Sequence, residues 1–189
     1  MTEKGKTSLG SCRITITGGG YVGLSLACLL SEKNQVTLLD VDPEKVRMIG
    51  RGVSPLKDEE IERYLRENRS RINVTTDESE AYSGAEIVII AVPTDFDEEM
   101  GRFDTDVAEW AVMSARRYNE DAMIVIRSTV PVGFTEAIRK AAGGAANVKG
   151  AVISVLVHEL YDGRIDRSCV AAGFLHFVVD RSLHIEEFF

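Results

Sequence analysis

Apolar and polar positions along the chain follow two rhythms. Short apolar runs at residues 13–17 (RITIT), 35–40 (QVTLLD), 71–75, 86–92 (EIVIIAV) and 122–127 (AMIVIR) predict five β-strands. Residues 151–157 (AVISVLV) carry the same pattern and predict a sixth. Between them, residues 21–32, 43–49, 58–68, 105–118 and 134–142 repeat their apolar positions at helical spacing. Asp42 is placed to cap the second helix, with Pro43 at its first position. Gly143 and Gly144 close the last helix. The segment 58–68 is strongly charged, with Ile61, Tyr64 and Leu65 on one face, and reads as a helix with a solvated side.

The runs 87–92, 123–126 and 151–157 are almost unbroken in apolar residues, the pattern of strands buried on both faces. Strand and helix alternate throughout. The expected fold class is therefore α/β, a doubly wound parallel sheet with helices on both sides. Pro43, Pro55, Pro93 and Pro131 all fall at predicted element boundaries, where a missing N–H costs least.

Composition narrows what such a domain can be. The 189 residues are 44% apolar or aromatic and 28% charged, which suits one folded domain and a little more. Residues 1–11 are expected to be a flexible tail, 12–157 the α/β domain, and 158–189 a divergent C-terminal segment whose weak alternation suits a hairpin. A balance of 22 basic against 30 acidic residues, net −8, speaks against broad nucleic-acid binding. No uncharged apolar run approaches the roughly 18 residues a spanning helix needs, so no membrane association is expected. The start MTEKGKTSLGS has charges but no apolar stretch after them, unlike a secretory signal. Cys12, Cys28 and Cys169 are too scattered for a disulfide framework, and His158, His176 and His184 match no zinc spacing. The expectation is a cytoplasmic protein without a metal.

The chemistry concentrates after the first strand. Gly18-Gly19-Gly20-Tyr21-Val22-Gly23 fits G-x-G-x-x-G between a strand and an apolar helix. Gly18 permits the tight turn, Gly20 lets a pyrophosphate approach the backbone, and Gly23 lets helix and strand pack closely. The phosphates would sit on free N–H groups at the positive end of the helix. Asp40, 17 residues beyond Gly23, ends the second strand and can accept hydrogen bonds from ribose hydroxyls. A 2′-phosphate would meet that carboxylate, so NAD is favoured over NADP, although Lys45 a turn later complicates the preference. A methyltransferase binding S-adenosylmethionine is the rival reading, since it uses a similar loop and acid. The tight helix entry favours the dinucleotide and a Rossmann-type NAD-binding domain.

Five stretches in order along the chain resemble the UDP-glucose/GDP-mannose dehydrogenase family. They are ITITGGGYVGLSLACLL with VTLLDVDPEKV, the Gly52-Val53-Ser54-Pro55 loop, Ala91-Val92-Pro93-Thr94 followed by DFDEEMGRFDT, and Arg127-Ser128-Thr129-Val130-Pro131-Val132-Gly133. The resemblance covers residues 12 to 142, and its V-P-T-D-F-D and V-P-V-G-F-T versions look most like the bacterial UDP-glucose branch. It implies that Tyr21 and Val22 contact the pyrophosphate through their N–H groups. Asp40, with Lys45 beside it, would hold the adenosine ribose, and Thr94 would approach the dinucleotide. Thr129 would sit near the nicotinamide, where the family uses it to position a catalytic water. For Thr94 and Thr129 the plain alternative is N-capping of the following segments.

The resemblance breaks after residue 142. The family continues with S-P-E-F-L-R-E-G, whose glutamate is catalytic. This chain has VISVLVHELYDGRIDRSCVAAG, in which Glu159 has no matching neighbours. The family's reaction, UDP-glucose to UDP-glucuronate with NAD reduced to NADH, needs a cysteine in a later G-F-G-G-x-C segment, and a lysine and an asparagine from a central helix. None of these segments is present, and Cys169 sits in an apolar setting that suits a buried hydrophobe. The expectation is a chain that binds NAD and is inactive alone, taking a nucleotide sugar only if the missing domain is supplied. Two alternatives stand beside it: a stand-alone NAD-binding or interaction module, and a dehydrogenase for GDP-mannose or UDP-N-acetylmannosamine. A homo-oligomer is compatible with each.

Overall fold

The computed structural model describes residues 11–97, 102–144 and 147–150. The described elements run β1 (Arg13–Thr17), α1 (Tyr21–Leu30), β2 (Gln35–Leu39), α2 (Pro43–Gly50), α3 (Glu59–Asn68), β3 (Ile72–Thr75), α4 (Glu78–Tyr82) and β4 (Ile87–Ile90). A two-stranded hairpin follows, β5 (Phe96–Asp97) and β6 (Arg102–Phe103). Then come α5 (Asp106–Tyr118), β7 (Met123–Ile126), α6 (Phe134–Ala141) and β8 (Val148–Gly150).

Six strands form one sheet in the order β3-β2-β1-β4-β7-β8. Every neighbouring pair is parallel. With the hairpin set aside, this is the 3-2-1-4-5-6 order of the doubly wound fold, which reverses direction between its first and fourth strands. The doubly wound α/β expectation therefore holds.

Register explains the two-layer cover. Ile14 and Ile16 of β1 lie opposite Ile87 and Ile89 of β4, so these four share one face. Val88, Ile90, Ile124 and Ile126 line the other face, packed against Tyr82 of α4, Ala111 and Val112 of α5, and Phe134 and Ile138 of α6. Most of these side chains are fully buried, and each such aliphatic side chain contributes about 2 kcal/mol by leaving water. The small residues Ala108, Ala111 and Ala115 bring α5 close to the sheet. Tyr82 is fully buried, its hydroxyl 3.0 Å from Thr17 Oγ1. Burial pushes its phenol up to about 12, with the Thr17 bond opposing the rise. Among the described residues no buried side-chain nitrogen or oxygen lacks a hydrogen-bond partner.

Three features differ from the sequence expectation. The sixth strand of the sheet is Val148–Gly150, three residues that the apolar pattern does not single out. They are held there by Arg139, whose Nε donates to the Val148 carbonyl at 2.6 Å, and by Asn147, whose side chain donates to the Ala122 carbonyl at 2.5 Å. The expected strand at 151–157 lies outside the described residues, as do residues 1–10 of the tail, the segment 158–189, Glu159, Cys169 and the three histidines. Helix α4 and the β5–β6 hairpin are additions that the pattern does not predict. Among the described residues no helix is long and apolar enough to cross a membrane.

Candidate dinucleotide site at the carboxyl edge of the sheet

The loops after β1, β2, β4 and β7 leave the same edge of the sheet, and the ladders run into them. The Gly18 amide donates to the Leu39 carbonyl at 2.8 Å, Ala91 to Thr17 at 2.9 Å, and Arg127 to Ile90 at 2.7 Å. The strand order reverses between β1 and β4, and in open α/β sheets ligands bind beyond the carboxyl ends of the strands at such a reversal.

Each glycine of the first loop has a distinct local reason. Gly18 has φ +105°, and a Cβ there would lie 2.5 Å from the Ala91 carbonyl oxygen, so both backbone and space demand glycine. A Cβ on Gly23 would lie 1.8 Å from the Gly18 carbonyl oxygen and 3.4 Å from Ile16 Cγ2, which fixes how closely α1 approaches β1. Gly20 is different. It caps α1 in an extended conformation without a side-chain bond, and no protein atom lies within 4 Å of a Cβ built on it. No contact within the described residues requires glycine there.

The first turn of α1 is correspondingly open. Leu24 is the first residue whose amide finds an acceptor in the helix, the Gly20 carbonyl at 2.9 Å. The amides of Tyr21, Val22 and Gly23 are those that an α-helix leaves unpaired, and the side chains of Tyr21 and Val22 are exposed. Three N–H groups at the positive end of a helix can take an anion.

Asp40 stands directly beyond β2 and is only 8% exposed. Its Oδ2 accepts from the Gly19 amide at 2.6 Å, and its Oδ1 from the Asp42 amide at 2.9 Å. Each oxygen keeps a free lone pair for a further donor. Lys45 Nζ lies 3.8 Å from Oδ2 and is substantially exposed. The carboxylate is thus bound to the glycine loop, which extends the β1–β2 pairing, with its Gly18–Leu39 bond, into the loops.

The other wall comes from the loops after β4 and β7. Ser128 Oγ donates to the Val92 carbonyl at 2.8 Å, tying these loops together. Thr94 is half-buried and Thr129 exposed. Neither caps a helix: α5 begins after Thr105 and α6 after Gly133, so the capping alternative does not hold for either threonine. Arg127 is half-buried and desolvation lowers its pKa below the ordinary arginine value. Among the described residues no carboxylate forms an ion pair with it.

The structure therefore gathers Gly18, Gly20, Tyr21, Val22, Gly23, Asp40 and Lys45 around one helix entry. Thr94 and Thr129 follow the adjacent strands β4 and β7 at the same edge. Sequence reasoning passed over two supporting residues. Gly19 supplies the amide that seats Asp40, and Ser128 joins the two far loops. The run of three glycines and the Ser-Thr pair were the available signals. Cys28 is in the core, as expected, and burial pushes its thiol up to about 11, with a smaller rise from Asp58.

A parallel sheet of this order, a glycine-built entry to its first helix and a carboxylate at the end of β2 define a Rossmann-type dinucleotide-binding domain. The UDP-glucose/GDP-mannose dehydrogenase family, NAD binding domain, matches residues 12–158, and the chain belongs to that family. It is 42% identical over 128 residues to the UDP-glucose 6-dehydrogenase of Streptococcus pneumoniae, a match covering 68% of this chain and 32% of that protein. A ternary complex of GDP-mannose dehydrogenase from Pseudomonas aeruginosa is similar at 29% identity with a TM-score of 0.62, over 74% of this chain and 34% of that one. A UDP-glucose dehydrogenase from the archaeon Pyrobaculum islandicum shares the fold, with a TM-score of 0.67 at 24% identity over 78% of this chain and 36% of that one. The chain spans about a third of the length of the curated relatives it matches.

Proposed function

We propose that this chain is the NAD-binding part of a UDP-glucose 6-dehydrogenase, which oxidises UDP-glucose to UDP-glucuronate. In this reading the amides of Tyr21 and Val22 bind the pyrophosphate, with Gly18, Gly20 and Gly23 giving it room. Asp40 accepts from the adenosine ribose hydroxyls, and Lys45 flanks it. Thr94 approaches the dinucleotide, and Thr129 presents its hydroxyl to position a water beside the nicotinamide. NAD, when bound, supplies the hydride acceptor. The sugar site and the cysteine nucleophile belong to the remaining two thirds of the length of its relatives, so these 189 residues hold NAD without turning over a nucleotide sugar.

The single observation that carries this reading is the contrast between Gly23 and Gly20. One glycine has no space for a methyl group within the protein, and the other has only open space beside three unpaired amides. What supports the ligand at Gly20 is the position of that open space, at the entry of α1 beside the amides of Tyr21, Val22 and Gly23.

Calorimetric titration of the full chain tests it. NAD binds, and NADP binds at least about tenfold more weakly, because its 2′-phosphate meets the Asp40 carboxylate. Asp40→Ala weakens NAD by about tenfold or more while the chain remains folded by circular dichroism. Unchanged NAD affinity in that variant sinks the site. Sustained NADH production from UDP-glucose by the chain alone sinks the division of labour but leaves the site standing.

A further inference from the structure

The carboxyl edge of the sheet carries a second positive centre besides the entry of α1. Arg127 follows β7 directly, and its amide bonds the Ile90 carbonyl of β4 at 2.7 Å, so the pleat of the strand carries through it. Ile124 and Ile126 belong to the core with α5 and α6. By the two-residue period Arg127 falls on the other face, with Val125 and its partner Ile89. That is the face of α1, since Ile16 pairs with Ile89 and a Cβ on Gly23 would touch Ile16 Cγ2 at 3.4 Å. The order along the edge is Asp40 after β2, the glycine loop after β1, Thr94 after β4, and Arg127 with Thr129 after β7. Neighbouring strands lie about 4.8 Å apart, which sets the backbone of Arg127 about 10 Å from the end of β1.

Its guanidinium stands alone. Among the described residues no hydrogen bond or ion pair reaches it. The other half-buried arginines, Arg116 and Arg139, are both engaged. Arg116 donates to the Asn147 side chain at 3.2 Å, and Arg139 to the Val148 carbonyl and to Glu136. Desolvation lowers the pKa of Arg127, yet a guanidinium keeps its proton at neutral pH. A charge taken partly out of water with no counter-ion costs free energy, and its field is neither cancelled nor screened as a surface charge is. At an effective dielectric constant of about 20, a second unit charge about 10 Å away already feels it as about a tenfold factor in an equilibrium.

The direction of the ligand decides what meets this field. With adenosine at Asp40 and pyrophosphate at α1, the β4 and β7 side of the edge is left for the nicotinamide end. The oxidised ring carries a positive charge and loses it on accepting a hydride, two electrons with one proton. A lone cation on that side opposes the oxidised ring and leaves the neutral, reduced ring untouched. We propose that Arg127 sets the redox preference of this site, so that its unpaired guanidinium makes the chain hold NADH more tightly than NAD. The inference rests on the NAD reading above. By linkage, a tenfold preference for the reduced form raises the potential of the bound couple by about 30 mV and so favours hydride acceptance.

Titration of the full chain with NAD, NADH and ADP-ribose, which lacks the nicotinamide, tests it. The parent chain should bind NADH about tenfold more tightly than NAD. Arg127→Met should tighten NAD by about tenfold and move NADH and ADP-ribose by less than about twofold, since only a charged ring is released from repulsion. Arg127→Lys keeps the charge and should keep the parent's preference. Lost packing at Arg127 weakens all three ligands together, so a gain in NAD affinity has no structural explanation, and unchanged ADP-ribose binding shows that the variant's site is folded. A parent chain without an NADH preference, or one whose preference Arg127→Met leaves unchanged, overturns the proposal with the NAD site intact. An equal loss of all three ligands in Arg127→Met also overturns it, since the guanidinium then holds a phosphate or the loop. A parent chain that binds none of the three overturns the NAD reading and this inference with it.

Discussion

Two kinds of helix start divide this molecule. Helices α2, α3 and α4 each begin on an aspartate whose side chain accepts backbone amides: Asp42 from Glu44 and Lys45, Asp58 from Glu60 and Ile61, Asp77 from Ser79 and Glu80. Helices α1, α5 and α6 begin on Gly20, Thr105 and Gly133, and none of these makes a side-chain cap. The Thr105 hydroxyl is turned instead to Glu109 at 3.0 Å. The uncapped helices are those that follow β1, β4 and β7, the strands at and beside the reversal of sheet order. Where a helix start has only water to meet, the sequence supplies the acceptor. At α5 the Asp106 amide turns back to Asp104 Oδ1 and at α6 the Phe134 amide to the Pro131 carbonyl, so α1 is the start that leaves its amides open to a ligand's anionic groups and carries no side chain at its cap.

Substitutions at the two kinds of start should therefore separate stability from binding. The largest effect is expected from Gly23→Ala, whose methyl has no space between α1 and the Gly18 carbonyl. It should cost about 3 kcal/mol in thermal or denaturant unfolding and abolish NAD binding, since the helix can no longer sit at the loop. Gly20→Asp is the sharper probe, because its backbone conformation suits a cap and its side chain has room. It should stabilise the fold by about 0.5 kcal/mol and weaken NAD by about a hundredfold, its carboxylate occupying the amides meant for phosphate. If both stability and affinity rise together, α1 is not the phosphate seat. Asp58→Ala, at a capped start, should cost about 1 kcal/mol and leave NAD affinity within twofold.

The smallest effect lies on the acid limb. The Ser79 hydroxyl, with the Glu80 and Ser79 amides, holds the pKa of Asp77 below its ordinary value of 3.8. A folded-state pKa that is depressed gives stability present above the unfolded value and lost as pH falls through the folded one. Asp77→Asn should therefore differ from the parent chain in unfolding midpoint at neutral pH, and that difference should shrink as pH drops below 3.8.

Most of this arrangement was legible in the sequence because the strands are buried on both faces and the capping residues are local. Ile87–Ile90 and Met123–Ile126 could only be central strands, and Asp42-Pro43 could only start a helix. The misses have physical causes. Helix α4 is five residues long, too short for a period, and only Ala81 and Tyr82 turn inward. Its signal was the cap, Asp77 with Glu80 three residues on. Strand β8 is placed by long-range bonds from Arg139 and Asn147, which no local pattern encodes, so the more apolar run after it drew the prediction. The glycine roles followed from the motif. That Asp40 rests on Gly19 did not, since it depends on where two loops meet.

That resting bond has a kinetic meaning. Asp40 is seated on the amides of Gly19 and Asp42 before any dinucleotide arrives, and Ser128 already joins the far loops. Among the described residues these contacts along the edge are made before capture, so little conformational entropy is lost in forming them. Association is then governed by encounter, and differences in affinity among variants of this edge reside in how fast the ligand leaves. The heat-capacity change on binding should track the ligand surface covered, with no contribution from ordering the Asp40 seat or the Ser128 tie.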